Sequence, residues 1–256
     1  MIQVLARLLR RVAVLGVAIA ILYSARAVGG PRAVLATGTV LFGAAGLLLV
    51  LLPRAAHRAF RRGAFSRAAL LYALLARVRL DGAARAALRL SSAGCLLGRE
   101  RHRDGLALLA RIDPAALGDS ARAAWHNNRA YALARSGGDP AQALIDSDSA
   151  VALRPDLPGF RHTRGLALLA LDRVDEAIRE LDAVWNRGAG EDTPPLLEAE
   201  RCYDMGLAWA RKGEREHAAD YFERSLRAAP GSLWATRAAG RLEPTARLPD
   251  ALADLV

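Results

Sequence analysis

Residues 199–232 read AERCYDMGLAWARKGEREHAADYFERSLRAAPGS, and this stretch decides the fold. Gly206, Trp209, Gly213, Ala218, Phe222, Ser225 and Pro230 mark two helices and the turn between them. The same pattern returns earlier in the chain. Gly165, Leu168, Ala177 and Leu181 stand 41 residues before Gly206, Trp209, Ala218 and Phe222, within PGFRHTRGLALLALDRVDEAIRELDAVW. About 35 residues further back, Ala130, Leu133, Ala143 and Ala150 recur within AAWHNNRAYALARSGGDPAQALIDSDSAVALRPDL. The physics of one unit shows in its second helix. Val174, Ala177, Ile178, Leu181, Val184 and Trp185 form one apolar stripe at helical spacing. Asp175, Glu176, Arg179, Glu180 and Asp182 take the opposite face. One such hairpin cannot bury its stripe alone, so units must stack.

This pattern resembles the tetratricopeptide repeat, a helix-turn-helix unit of 34 residues. The likeness is strongest in the third unit. The first carries an extra residue at Gly137-Gly138, and Arg129 and Arg164 stand where an apolar residue is more usual. The resemblance implies an all-α solenoid, with repeats over 123–157, 158–191 and 199–232 and a degenerate repeat over 86–118. A Gly- and Pro-rich connection, NRGAGEDTPPLL, parts the second and third units. Residues 54–85 read as a basic juxtamembrane segment with degenerate helices, in which Gly63, Phe65, Ala68, Tyr72 and Leu75 echo a second repeat helix. Residues 233–242 read as a capping helix with Trp234 turned inward. The tail 243–256, with Pro244 and Pro249, reads as loosely held.

The N-terminal third has a different character. Residues 1–80 contain twelve arginines and no Asp or Glu, while the chain from Ser120 onward carries slightly more acid than base. Residues 33–52, AVLATGTVLFGAAGLLLVLL, run for twenty positions without a charge. As a helix that is about 30 Å, the thickness of a bilayer core. Pro53 and Arg54 read as its end. Residues 12–25, VAVLGVAIAILYSA, form a shorter apolar run. It reads either as a first span, lengthened by snorkelling Arg11 and Arg26, or as a signal peptide with Ala25-Arg26-Ala27 as its cleavage site. Cleavage there would leave few residues before the next apolar run. The favoured reading is therefore a transmembrane helical hairpin occupying residues 1–53, with spans near 12–28 and 33–52. Arginines cluster before the first run and after the second, so the positive-inside rule places both termini and the repeats in the cytoplasm. The expected location is the inner membrane of a bacterium.

The collar Arg54, Arg58, Arg61, Arg62 and Arg67 has three readings: a topology signal, a contact with anionic headgroups, or a nucleic-acid contact. Basic charge with no nucleic-acid-binding fold makes the last the weakest.

In the resembling family, the first helix of each unit lines a concave groove that receives a peptide or helix. Carried over by position, the groove candidates are Asn127, Tyr131 and Arg135, then His162, Leu166 and Ala170, then Tyr203, Leu207 and Arg211. Asn127 and Arg135 suit a ligand backbone or carboxylate, and Tyr131 and Tyr203 suit an apolar anchor. With Lys212 the sole lysine, no full carboxylate clamp is present. The five histidines, His57, His102, His126, His162 and His217, fall in no metal spacing, and no nucleophile or phosphate-loop motif occurs. Glu214, Glu216 and His217 read as solvated surface. Asp146 and Asp148 point to different sides of a helix, and Cys95 and Cys202 read as small packing residues. The expected function is a membrane-anchored scaffold or adaptor that binds a protein partner, with no catalytic residues, metal or cofactor. The alternative is a structural subunit of a membrane complex, held through the hairpin. A lipid or nucleic-acid binder built on the arginines ranks third.

Overall fold

The structure is a computed structural model. It describes the backbone of residues 2–79, 81–186 and 194–242, and their side chains from residue 16 onward except 185 and 186. The connection at 187–193 and the tail 243–256 lie outside the described residues. Among those residues every regular element is helical. The chain divides into two compact units, residues 1–117 and 118–256.

The first unit begins with α1 (Ile2–Gly46), which is interrupted at Gly30. Gly30 takes φ 63° and ψ −158°, a region open to glycine alone. A Cβ on Gly38 would stand 3.9 Å from Leu22 Cδ2. An unbroken helix would part these residues by roughly 24 Å, so the chain doubles back at Gly30. The second limb does not stop at Pro53. It passes through a π-helical turn (Leu47–Leu51) into α2 (Leu52–Arg61). Proline lacks an N–H and crowds the carbonyl four residues back, and a π turn absorbs that misfit without ending the helix. From Gly16 to Arg61 the chain is long and apolar enough to cross a membrane, and none of its most apolar window is buried.

The chain turns at Gly63, φ 72°, into α3 (Phe65–Val78). Phe60 and Phe65 meet edge to face at 5.4 Å beside the turn. Ala56, Ala59, Ala68, Tyr72 and Leu75 then make a core with Cys95 of α4 (Gly82–Leu97), so α3 folds back along α2. Asp81 caps α4 by accepting from the Ala83 N–H. The unit ends with α5 (His102–Leu109) and a short 3₁₀ turn (Pro114–Ala116).

The second unit stacks three helical hairpins and a last helix. These are α6 (Asp119–Ser136) with α7 (Pro140–Leu153), α8 (Pro158–Ala170) with α9 (Val174–Asn186), α10 (Pro195–Lys212) with α11 (Arg215–Ala228), and α12 (Leu233–Leu242). The second and third hairpins each close through a glycine facing a large residue sixteen positions later. A Cβ on Gly165 would meet Leu181 Cγ at 2.8 Å, and one on Gly206 would meet Phe222 Cε1 at 2.6 Å. Only glycine allows that approach. In the first hairpin, with one more residue in its turn, the matching pair is Ala130 and Ser147, both buried. The extra residue there is used by the turn. Gly137 takes the left-handed region at φ 68° and Gly138 N–H donates to Leu133 O, ending α6. Asp139 then starts α7 by accepting from Ala141 and Gln142 N–H.

Candidate functional site

His162, Glu200 and Asp204, all buried, meet Tyr131 and Arg135 between the first helices of the three hairpins. Arg135, on the last turn of α6, donates through Nη1 and Nη2 to the two oxygens of Asp204 on α10, at 2.8 and 2.6 Å. The same Nη2 lies 2.9 Å from Glu200 Oε1. Tyr131, one turn earlier on α6, donates its hydroxyl to that oxygen at 2.6 Å. His162 of α8 brings Nε2 within 2.9 Å of Asp204 Oδ2. The guanidinium also lies over the Trp234 ring of α12, 4.6 Å from its centroid. Three hairpins and the last helix therefore share one network.

The electrostatics follow from geometry. Asp204 is wholly buried. Burial alone would raise its carboxyl; the Arg135 charge and the His162 and Arg135 hydrogen bonds overcome that and hold it below the usual carboxylate range. Burial, followed by the Glu200 charge, pushes the Tyr131 hydroxyl well up, so it stays a donor at neutral pH. Arg135 remains a cation despite its burial, because Asp204 faces it. A charge taken out of water in this way is stable only while its partners are present.

A second cluster stands at the first hairpin. Asp146 Oδ1 lies 2.9 Å from His126 Nδ1, and Asp146 Oδ2 lies 3.0 Å from Arg129 and 3.3 Å from Gln142. Arg129, the unusual residue before the small position, thus has a partner inside its own hairpin. Arg164 behaves alike, bridging Asp148 at 2.6 Å and Glu180 at 2.8 Å. Asp146 is buried while Asp148 is half exposed, so the two carboxylates do point apart.

The nine groove positions fare differently from one another. Tyr131, Arg135 and His162 are brought together around Asp204. Leu166 and Tyr203 are buried, and Tyr203 packs on Phe222 and Trp234 at 5.8 and 5.6 Å. Ala170 and Arg211 are exposed, and Leu207 is partly so. Arg211 donates to the Leu169 carbonyl. Asn127 is half-buried, with its amide against Asn128, and its Oδ1 has no protein partner among the described residues. Glu200 and Asp204 escape the sequence reading as site residues. A signal exists: both are acids one turn apart on a helix, and Asp204 stands between Tyr203 and Met205. Arg54, Arg58, Arg61, Arg62 and Arg67 all lie exposed on α2, the turn and the start of α3. Cys95 and Cys202 are both buried. No group of three or more His, Cys, Asp or Glu side chains suited to a metal occurs among the described residues.

No protein-family model matches the chain, and no curated protein matches it. Solved structures do. The thermophilic tetratricopeptide-repeat protein TTC0263 of Thermus thermophilus superposes with a TM-score of 0.51 at 19% identity, over 74% of this chain and 96% of that one. YrrB, described as a tetratricopeptide-repeat protein with an unusual peptide-binding site, gives 0.43 at 18% identity over 75% and 91%. The MamA protein gives 0.44 at 17% identity over 72% and 92%. The chain therefore has a tetratricopeptide-like all-α fold.

Proposed function

We propose that this protein is a membrane-anchored interaction scaffold. Its N-terminal helices form a transmembrane hairpin that turns at Gly30, and its repeats face the cytoplasm of a bacterium and bind a protein partner. The observation that carries this reading is the apolar stretch between Gly16 and Arg61. Its most apolar window has no buried residue, in a chain that otherwise folds as a repeat solenoid. A soluble repeat protein would cover such a surface, because water exposure of it is costly. For that partner the first helices of the repeats offer a carboxamide oxygen at Asn127 with no protein partner among the described residues, exposed side chains at Ala170 and Arg211, and a partly exposed one at Leu207. Tyr131, Arg135 and His162 serve the partner indirectly, by holding the three first helices in register.

The test is cross-linked co-purification of the full-length chain from native membranes after an alkaline wash. We expect the protein to remain with the lipid and to capture a defined partner. The variant Asn127→Ala with Arg211→Ala should lose that partner. Release by alkali would disprove the anchor, and equal capture by the variant would disprove the groove.

A further inference from the structure

We propose that the outer face of α3 lies in the interface of an anionic bilayer, beside the point where the chain leaves the membrane. The proposal rests on the anchor reading above. α2 continues the apolar limb without a break, and α3 folds back along it from the Phe60–Phe65 corner. Ten residues of α2 rise about 15 Å and fourteen of α3 about 21 Å. The far end of α3 therefore returns to the level of Leu52, where the charge-free run ends.

What α3 presents there is unusual for the outside of a solenoid. Its inner face is spent on Ala68, Tyr72 and Leu75. Its outer face carries Leu70, Leu74 and Val78, at 62%, 43% and 50% exposure, one turn apart on a single stripe. A terminal repeat in water needs a polar outer face; this one is apolar. From α2 to the end of α3 the exposed charges are Arg54, Arg58, Arg61, Arg62, Arg67 and Arg77, and no acid occurs before Asp81. No ion pair among the described residues includes any of these arginines. An apolar stripe on a segment whose charges are all cations, with no ion pair among the described residues, matches the boundary between acyl chains and anionic headgroups. A protein groove of mixed charge, or a second copy of the same cationic face, would match it poorly.

Nitroxide labels at Leu74→Cys and Phe42→Cys test this in the full-length chain, reconstituted in phosphatidylcholine vesicles with and without phosphatidylglycerol. Cys95 and Cys202 are buried, so the introduced thiol takes the label. Collision with oxygen against a water-soluble nickel chelate reports depth. We expect the label at 42 to be deep in both lipids. The label at 74 should be shielded from nickel with phosphatidylglycerol and lose that shielding without it, or in the variant Arg54→Gln, Arg58→Gln, Arg77→Gln. A deep label at 42 with a nickel-accessible label at 74 overturns the proposal and leaves the anchor standing. A nickel-accessible label at 42 overturns both. Spin–spin broadening at 74 assigns the stripe to a second copy, and protection by added RNA in place of phosphatidylglycerol assigns the arginines to nucleic acid; either result overturns the lipid assignment.

Discussion

Arg135 and Asp204, sixty-nine positions apart, form a two-pronged ion pair at 2.8 and 2.6 Å that joins the first repeat to the third. His162 supplies a contact from the second repeat to the same carboxylate. A solenoid is held mainly by contacts between neighbours. This pair bridges across a neighbour, so one carboxylate touches residues of all three repeats.

Removing one side of the pair should therefore be severe. Asp204→Ala leaves a guanidinium whose side chain is 12% exposed with Glu200 as its one carboxylate partner among the described residues, and we expect a loss of about 3 kcal/mol. The double variant Arg135→Met with Asp204→Leu should lose much less than the sum of the singles. Urea unfolding of the detergent-solubilised chain, followed by tryptophan fluorescence, checks this. Additive losses would mean that the pair is not coupled.

Asp146 offers a contrast. It occupies the position of Glu180 in the second hairpin, and its partners His126 and Arg129 are 22% and 34% exposed and can turn to water. Asp146→Leu should change stability by no more than about 1 kcal/mol, since it removes a buried charge and leaves partners that water can reach. A loss equal to that of Asp204→Ala would contradict the different burial of the partners.

The repeats should weaken in acid. The Asp204 carboxyl is held below its unfolded value, so its contribution is present above about pH 4 and is lost as pH falls through the folded value. The Asp204→Asn variant should show a flatter acid limb in thermal melts taken across this range. An unchanged limb would place the acid sensitivity elsewhere.

Gly206→Ala places a Cβ 2.6 Å from the Phe222 ring, which is braced by Tyr203. Overpacking of this kind costs about 1–3 kcal/mol. Adding Phe222→Leu should recover little of the loss in the melting temperature, because a Cβ on Gly165 would stand only 2.8 Å from Leu181 in the second hairpin; full recovery would show that the ring alone makes the clash.

Burial pushes the thiols up, to about 11 at Cys95 and about 12 at Cys202, where Glu198 adds to the effect. Both should resist maleimide at neutral pH in the folded chain and react fully in denaturant, as read by intact mass. Labelling of either under native conditions would show that its helix opens.

The repeats were legible because their signals are local. A stripe at helical spacing and a glycine facing a bulky residue sixteen positions later operate within one hairpin, so Gly165, Leu181, Gly206 and Phe222 can be read in order along the chain. The inward Trp234 follows from the same logic, as the residue that covers the last open stripe. Tyr203 belongs with them: its place near the glycine suggests a groove, but the neighbouring Phe222 and Trp234 claim its ring. Pro53 misleads, because proline is read as a stop and the π turn that accommodates it has no sequence signature.

The sequence alone determined the helix-turn-helix repeat, the apolar N-terminal stretch and the one-sided distribution of charge, since each depends only on which residue types recur at short spacing. The tertiary structure decided which polar residues meet. Arg135, His162, Glu200 and Asp204 converge through the way three hairpins stack. Burial by that stacking makes their charges decisive, where in water the same side chains would be ordinary surface.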